Sequence, residues 1–153
     1  MIDDLYSTKI LALAANLPRL GRLTAPDAAV EKTAKLCGSW IRVEVRLSEG
    51  VMVDYAQEVR ACALGQAAAA ILAEHVVGAT PAEIEMARDA FCAMLRQGGP
   101  PPNGRFSDLA MLEPVRDFPA RHASTLLAFE ATVEACRLAN AAPKLRTRRA
   151  GAA

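Results

Sequence analysis

Aromatic side chains are scarce in this chain: one Trp, two Tyr and four Phe among 153 residues. So thin a supply of large rings disfavours a β-sandwich and favours helices packed through small and aliphatic side chains. An excess of one charge is also missing. The formal net charge is +1, which leaves no strong field to attract nucleic acid or an anionic membrane. No apolar run approaches the roughly 20 residues that a bilayer-spanning helix needs. The opening Met1-Ile2-Asp3-Asp4 is acidic, where a secretion leader would be basic. These absences point to the cytoplasm, where thiols stay reduced. Catalytic signatures are absent too: no glycine-rich phosphate loop, no Gly-x-Ser-x-Gly, no His-Glu-x-x-His and no Cys-x-x-Cys. With nothing to bring a base, a nucleophile and a pocket together, a binding or interaction protein is expected rather than an enzyme.

What the chain does have is apolar residues, 52% of the total and much of that alanine. That is enough to build one core. A single domain is expected over 1–141. A basic tail follows over 142–153, where Lys144, Arg146, Arg148 and Arg149 have little to bury and disorder is expected. Ile2, Leu5, Tyr6, Ile10 and Leu13 recur at helical spacing, with Asp3 and Asp4 suited to the helix start and Pro18 and Gly21 to its end. Residues 40–47 alternate apolar and charged side chains, the pattern of a strand with one buried face. Ser48-Glu49-Gly50 turns that strand into a second over 51–56, and a shorter pattern over 29–34 supplies a third.

The second half reads as helical. The alanine-rich stretch over 64–77 predicts a helix stopped at Gly78. Thr80-Pro81-Ala82-Glu83 combines an N-cap, a proline at the first helical position and the glutamate of a capping box, opening a helix that reaches 96. A loop over 98–104, a short helix over 107–112 and a long helix over 119–140 complete the chain. This order predicts an α+β fold: a small three-stranded antiparallel sheet covered on one face by helices.

Two cysteines stand at element ends. Cys37 directly precedes the clearest strand, and Cys62 lies between the strand region and a helix start. A thiol there can be presented rather than packed away. A helix N-terminus also lowers a thiol pKa, favouring the thiolate that metal binding or sulfur transfer needs. Plain burial is the competing reading, since cysteine is among the most buried residue types. Cys92 adjoins Phe91 and Leu95, and Cys136 continues the stripe Leu126, Phe129, Val133, so both read as core. His75 sits near a helix C-terminus, which favours a partly charged imidazole without any ligand role.

Five stretches occur in a telling order. They are Leu5-Tyr6-Ser7 through Pro26-Asp27; Cys37-Gly38-Ser39; the run Ala61-Cys62-Ala63-Leu64-Gly65-Gln66-Ala67-Ala68; Phe118-Pro119-Ala120-Arg121; and Leu127-Ala128-Phe129. Together they resemble the U-type iron–sulfur cluster assembly scaffolds (IscU, SufU and the N-terminal domain of NifU), most closely the SufU-like branch. The resemblance covers residues 5–137. It implies a metal site made of three cysteines and the aspartate of a Cys-Gly-Asp motif. In this chain the aspartate is replaced by Ser39, and the third cysteine falls on Ser124; a shifted gap would instead bring His122 to the site. Cys37 and Cys62 are then the retained metal or persulfide positions, with Ser39 and Ser124 as substituted ligand positions. Cys136 lies twelve residues past Ser124, roughly 18 Å along a helix, and cannot fill the gap.

Iron–sulfur clusters are held by thiolates with occasional histidine, and zinc takes four ligands. A neutral serine hydroxyl is a poor substitute for either kind of group. The resemblance therefore implies zinc or a labile iron–sulfur cluster held weakly, or no cofactor in the isolated protein, with a cysteine desulfurase as partner. The alternative is a metal-free interaction or regulatory protein that docks to the same machinery. Leu112-Glu113-Pro114-Val115-Arg116 is similar to the chaperone-docking motif of the IscU branch, but lies too far upstream of Ser124 to count.

Overall fold

Among the described residues, Ser7 opens the first helix, α1 (Thr8–Ala15), by accepting a hydrogen bond from the Ile10 amide at 3.3 Å. The computed structural model describes residues 6–141, so the start expected at Asp3 and Asp4, and the basic tail, lie outside the described residues. Asn16 ends α1, two residues before Pro18.

Three strands follow: β1 (Ala28–Ala34), β2 (Ser39–Ser48) and β3 (Val51–Arg60), antiparallel and in the order β1-β2-β3. Val30 faces Val43, Val45 faces Tyr55 and Ile41 faces Val59. Directly opposed residues share a face, so these side chains form one apolar surface. The reverse face is charged, with Arg42 paired to Glu31 at 3.1 Å and to Glu44 at 2.9 Å. A two-residue turn at Glu49-Gly50, both at positive φ, joins β2 to β3 as a hairpin.

β3 is longer than the 51–56 expected. Its continuation includes Gln57, which is fully buried and breaks the alternation. The reason lies outside the sheet. Gln57 accepts a hydrogen bond from the Gly21 amide at 2.9 Å, donates its own amide to Arg19 O at 3.0 Å, and bonds Pro18 O through Nε2 at 3.0 Å. Pro18 and Gly21 therefore belong to a strap along the outer edge of β3, which closes a row of groups that would otherwise be open to pairing.

The helical half comprises α2 (Ala63–His75), α3 (Pro81–Gln97) and α4 (His122–Ala141), with 3₁₀ segments at Gly104–Asp117 and Pro119–Arg121. α4 is the central element, packed on β1 and β2 on one side and on α2 and α3 on the other. The capping box of α3 forms as expected: Thr80 accepts from the Glu83 amide at 3.1 Å and Glu83 accepts from the Thr80 amide at 3.1 Å. α2 ends at His75, with Val76 as its cap and Gly78 in the turn beyond. The short helix expected over 107–112 is instead part of a 3₁₀ stretch, Gly104–Asp117, that is kinked at Phe106 (φ −105°, ψ 26°). Its buried residues are Phe106, Leu109, Leu112 and Val115. A period of three lines up along one face only when each turn holds 3.0 residues.

Candidate functional site

β2 and β3 stop pairing at Trp40 opposite Arg60. Cys37 lies three residues before that end and Cys62 two residues after it, so the sheet register alone carries both to the same end of the hairpin. Cys37 occupies the β1–β2 turn, where Gly38 takes a φ of 72° and donates its amide to Ala34 O at 2.9 Å. That left-handed residue bends the chain tightly and leaves Cys37 exposed beside it. Cys62 is the N-cap of α2, with no side-chain capping bond of its own.

The serines complete the cluster. Ser39 faces the helices, and its Oγ is 3.1 Å from Cys37 Sγ. Ser124, in the first turn of α4 and buried, has its Oγ 3.4 Å from Cys62 Sγ. Cys37, Ser39, Cys62, Arg60, Gln66 and Arg121 line a shallow, open cleft at this end of the molecule. The Ser39 hydroxyl and amide hold the Cys37 thiol below its ordinary range; slight burial opposes this and the Ser124 hydroxyl adds to it. Once Cys37 loses its proton, these groups become donors to the thiolate, which explains the direction of the shift. Ser39→Ala should therefore move the pH midpoint of Cys37 alkylation by iodoacetamide upward and slow the reaction severalfold at neutral pH. An unchanged profile would remove Ser39 from this role.

Ser124 is free to serve a thiolate. Its hydroxyl bonds Arg121 O at 3.2 Å, but Thr125 already donates to the same carbonyl at 2.7 Å. The Ser124 proton can turn to sulfur without leaving that oxygen unpaired. Gly65 sets the spacing. A Cβ there would lie 2.9 Å from Ser124 O and 3.0 Å from Ala61 Cβ, so α2 meets α4 at this point without room for a methyl group. Gly65→Ala should cost about 1–3 kcal/mol in urea denaturation and separate Cys62 from Ser124; unchanged stability would contradict this packing.

The other candidates fall elsewhere. His122 is buried, and its Nε2 donates to Val115 O at 3.0 Å and Arg116 O at 3.2 Å, so the imidazole is committed to the preceding 3₁₀ segment and Ser124 holds the place beside Cys62. Cys136 is core, and burial raises its thiol to about 11. Cys92 is only partly buried, packed at the rim of the core beside Arg88 and Glu130 rather than within it. His75 pairs with Asp108 at 3.2 Å, near Glu74. These three form an exposed cluster with ligand atoms within 4.8 Å of one another, roughly 20 Å along α2 from Cys62. Arg60, Gln66 and Arg121 received no role from the sequence, although Gln66 and Arg121 fall within recognisable stretches. Among the described residues no helix is long and apolar enough to cross a membrane.

A three-stranded antiparallel sheet under helices, with two thiols gathered at the hairpin end, defines a U-type scaffold domain. The chain belongs to the NifU-like N-terminal domain family, which matches residues 5–124, and thus to the iron–sulfur cluster assembly scaffolds. It is 27% identical over 135 residues to the iron–sulfur cluster assembly scaffold protein IscU of Thermotoga maritima, covering 87% of this chain and 93% of that one. The crystal structure of a NifU-like protein (N-terminal) from Brucella abortus superposes with a TM-score of 0.89 at 49% identity, over 91% of this chain and 96% of that one. A putative SUF-system scaffold from Fervidobacterium islandicum shares the fold, with a TM-score of 0.80 at 19% identity over 88% and 98% of the two chains.

Proposed function

We propose that this chain is a diverged assembly scaffold that accepts sulfur at Cys37 and holds zinc or an iron–sulfur cluster only weakly. The observation that carries the reading is the donor set at the hairpin end: two thiols, two serine hydroxyls and no carboxylate among the cleft residues. Two of four positions are neutral oxygens, which do not fit a zinc site or a cluster that needs thiolates. Sulfur acceptance asks less. It needs one accessible thiolate, and Cys37 is exposed with its pKa lowered by Ser39.

The proposed donor is a cysteine desulfurase. The Cys37 thiolate attacks the outer sulfur of the donor's persulfide; the donor leaves as a thiolate, and Cys37 carries the persulfide. The protein acts as a carrier and not as an enzyme. The test is anaerobic incubation of the Cys62→Ser variant with a desulfurase and L-cysteine, where Cys37 is the cleft's remaining thiol. Peptide mass mapping should find one added sulfur atom on Cys37. Sulfur only on Cys92, or on no cysteine, would overturn the reading. An interaction role finds support in Leu36, which is 82% exposed directly beside Cys37. Both roles use the same end of the molecule.

A further inference from the structure

The cleft contains more than an acceptor. A second thiol stands across from the first, and the charged residues lining it are Arg60 and Arg121, with no aspartate or glutamate. Neither arginine makes an ion pair with a described residue, and Arg60 lies over the Trp40 ring at 5.5 Å. Such a lining attracts anions and repels divalent cations. It suits a bound persulfide or hydrosulfide better than a metal.

We propose, resting on the sulfur-acceptor reading, that the site discharges its own cargo: the Cys62 thiolate attacks the Cys37 sulfur of the persulfide, forming a Cys37–Cys62 disulfide and releasing hydrosulfide. The step balances. The S–S bond between Cys37 and the carried sulfur breaks as the Cys37–Cys62 bond forms. In this step the Cys62 sulfur is oxidised and the carried sulfur is reduced to sulfide, leaving with the proton it held as a persulfide. Cys37, already oxidised on loading, exchanges one S–S partner for another. No outside reductant is needed for one turnover, because the dithiol supplies both electrons. A protein or small-molecule dithiol must then reduce the disulfide before the next.

Three observations place the reactants. The sheet register brings Cys37 and Cys62 to the same end of the β2–β3 hairpin. The Ser124 hydroxyl is 3.4 Å from Cys62 Sγ and also acts on the Cys37 thiol, and it can donate to a sulfur anion, since Thr125 already satisfies Arg121 O. Cys62 is the N-cap of a 13-residue helix and spends no side-chain hydrogen bond on capping it, which leaves its sulfur free to turn into the cleft. Hydrosulfide is a good leaving group for thiol–disulfide exchange, which speeds up as the leaving thiol becomes more acidic.

The test uses the full chain carrying Cys92→Ser, so that the rim thiol does not compete. Reduced protein is charged anaerobically with inorganic tetrasulfide, desalted, and followed by intact mass, peptide mapping and sulfide release. The parent chain should lose two hydrogens, link the Cys37 and Cys62 peptides, and release one sulfide per chain. Cys62→Ser in the same background should keep one extra sulfur atom on Cys37 and release almost none; Cys62→Ala serves as a second variant, with melting curves to verify folding. A parent chain that keeps its persulfide, like both variants, would overturn self-discharge and leave sulfur acceptance standing. Failure of every protein to take sulfur at Cys37 would overturn both.

Discussion

Replacing Ser39 by Asp and Ser124 by Cys in one protein should raise zinc affinity by roughly a thousandfold, about 4 kcal/mol. The native chain should hold zinc loosely, because its cleft offers two thiols and two hydroxyls. The geometry makes the double variant a fair test. Ser39 Oγ is already 3.1 Å from one sulfur and Ser124 Oγ 3.4 Å from the other. Both substitutions put a ligating atom near where an oxygen now stands. The resulting set, three thiols and a carboxylate, is a complete tetrahedral zinc complement. Full structural sites contribute ~10–16 kcal/mol, so the expected gain is a modest share of what is available. Because zinc would bind only the folded chain, the melting temperature of the variant should rise with added metal. Titration against a competing chelator measures the affinity directly. Equal affinities would mean that other groups complete the native site, and no binding by either protein would mean that the backbone around it has itself diverged.

Local signals were the ones legible in the sequence. The capping box at Thr80 and Glu83 needs only residues three apart, and both of its hydrogen bonds form. The hairpin through Glu49 and Gly50 is equally local. The alternation over 40–47 marked β2 because Ile41, Val43 and Val45 are buried on one face while the other carries Arg42, Glu44 and Arg46. Glu44 is itself covered where it accepts from the Leu23 amide. Beyond Ala56 the same rule failed. Gln57 is polar yet fully buried, and the partner that justifies its burial is a strap more than thirty residues earlier. No periodicity encodes that. The 3₁₀ segment was legible in principle, since its apolar residues recur every third position, but a period of three over a few residues passes easily for the 3.6 of a short α-helix.

The site divides in the same way. Cys37 and Cys62 were identifiable as thiols at element ends, and the resemblance added Ser39 and Ser124. Choosing between Ser124 and His122 required tertiary contacts, because the two residues are neighbours at the start of α4 and only one can face the thiols. The carbonyls of Val115 and Arg116 claim the imidazole. Arg60 and Arg121 were beyond sequence reasoning for another reason: surface arginines are common, and only the cleft makes their unopposed charge informative.

The largest loss of stability should follow Phe129→Ala. Phe129 is completely buried on α4 and meets Phe91 at 5.6 Å and Phe106 at 5.5 Å between ring centroids, both edge-on. One ring therefore joins α4 to α3 and to the 3₁₀ segment. Truncation removes the transfer energy of the ring and leaves a cavity among elements held by the sheet, so a cost of ~3–5 kcal/mol is expected in urea unfolding. Phe129→Leu, which keeps most of the volume, should cost distinctly less. The loss should also reach the thiols. Ser124 is five residues earlier on the same helix, about 7.5 Å along its axis, and its buried position against Gly65 depends on α4 lying close to α2. In the Phe129→Ala protein, Cys62 should therefore alkylate faster than in the parent under conditions where both are folded. A loss below about 1 kcal/mol would be smaller than any buried ring of this kind should give, and would remove Phe129 as the keystone between α3, α4 and the 3₁₀ segment. Full loss of stability with unchanged Cys62 reactivity would instead show that the first turn of α4 is held at the site by the sheet, independently of the aromatic cluster.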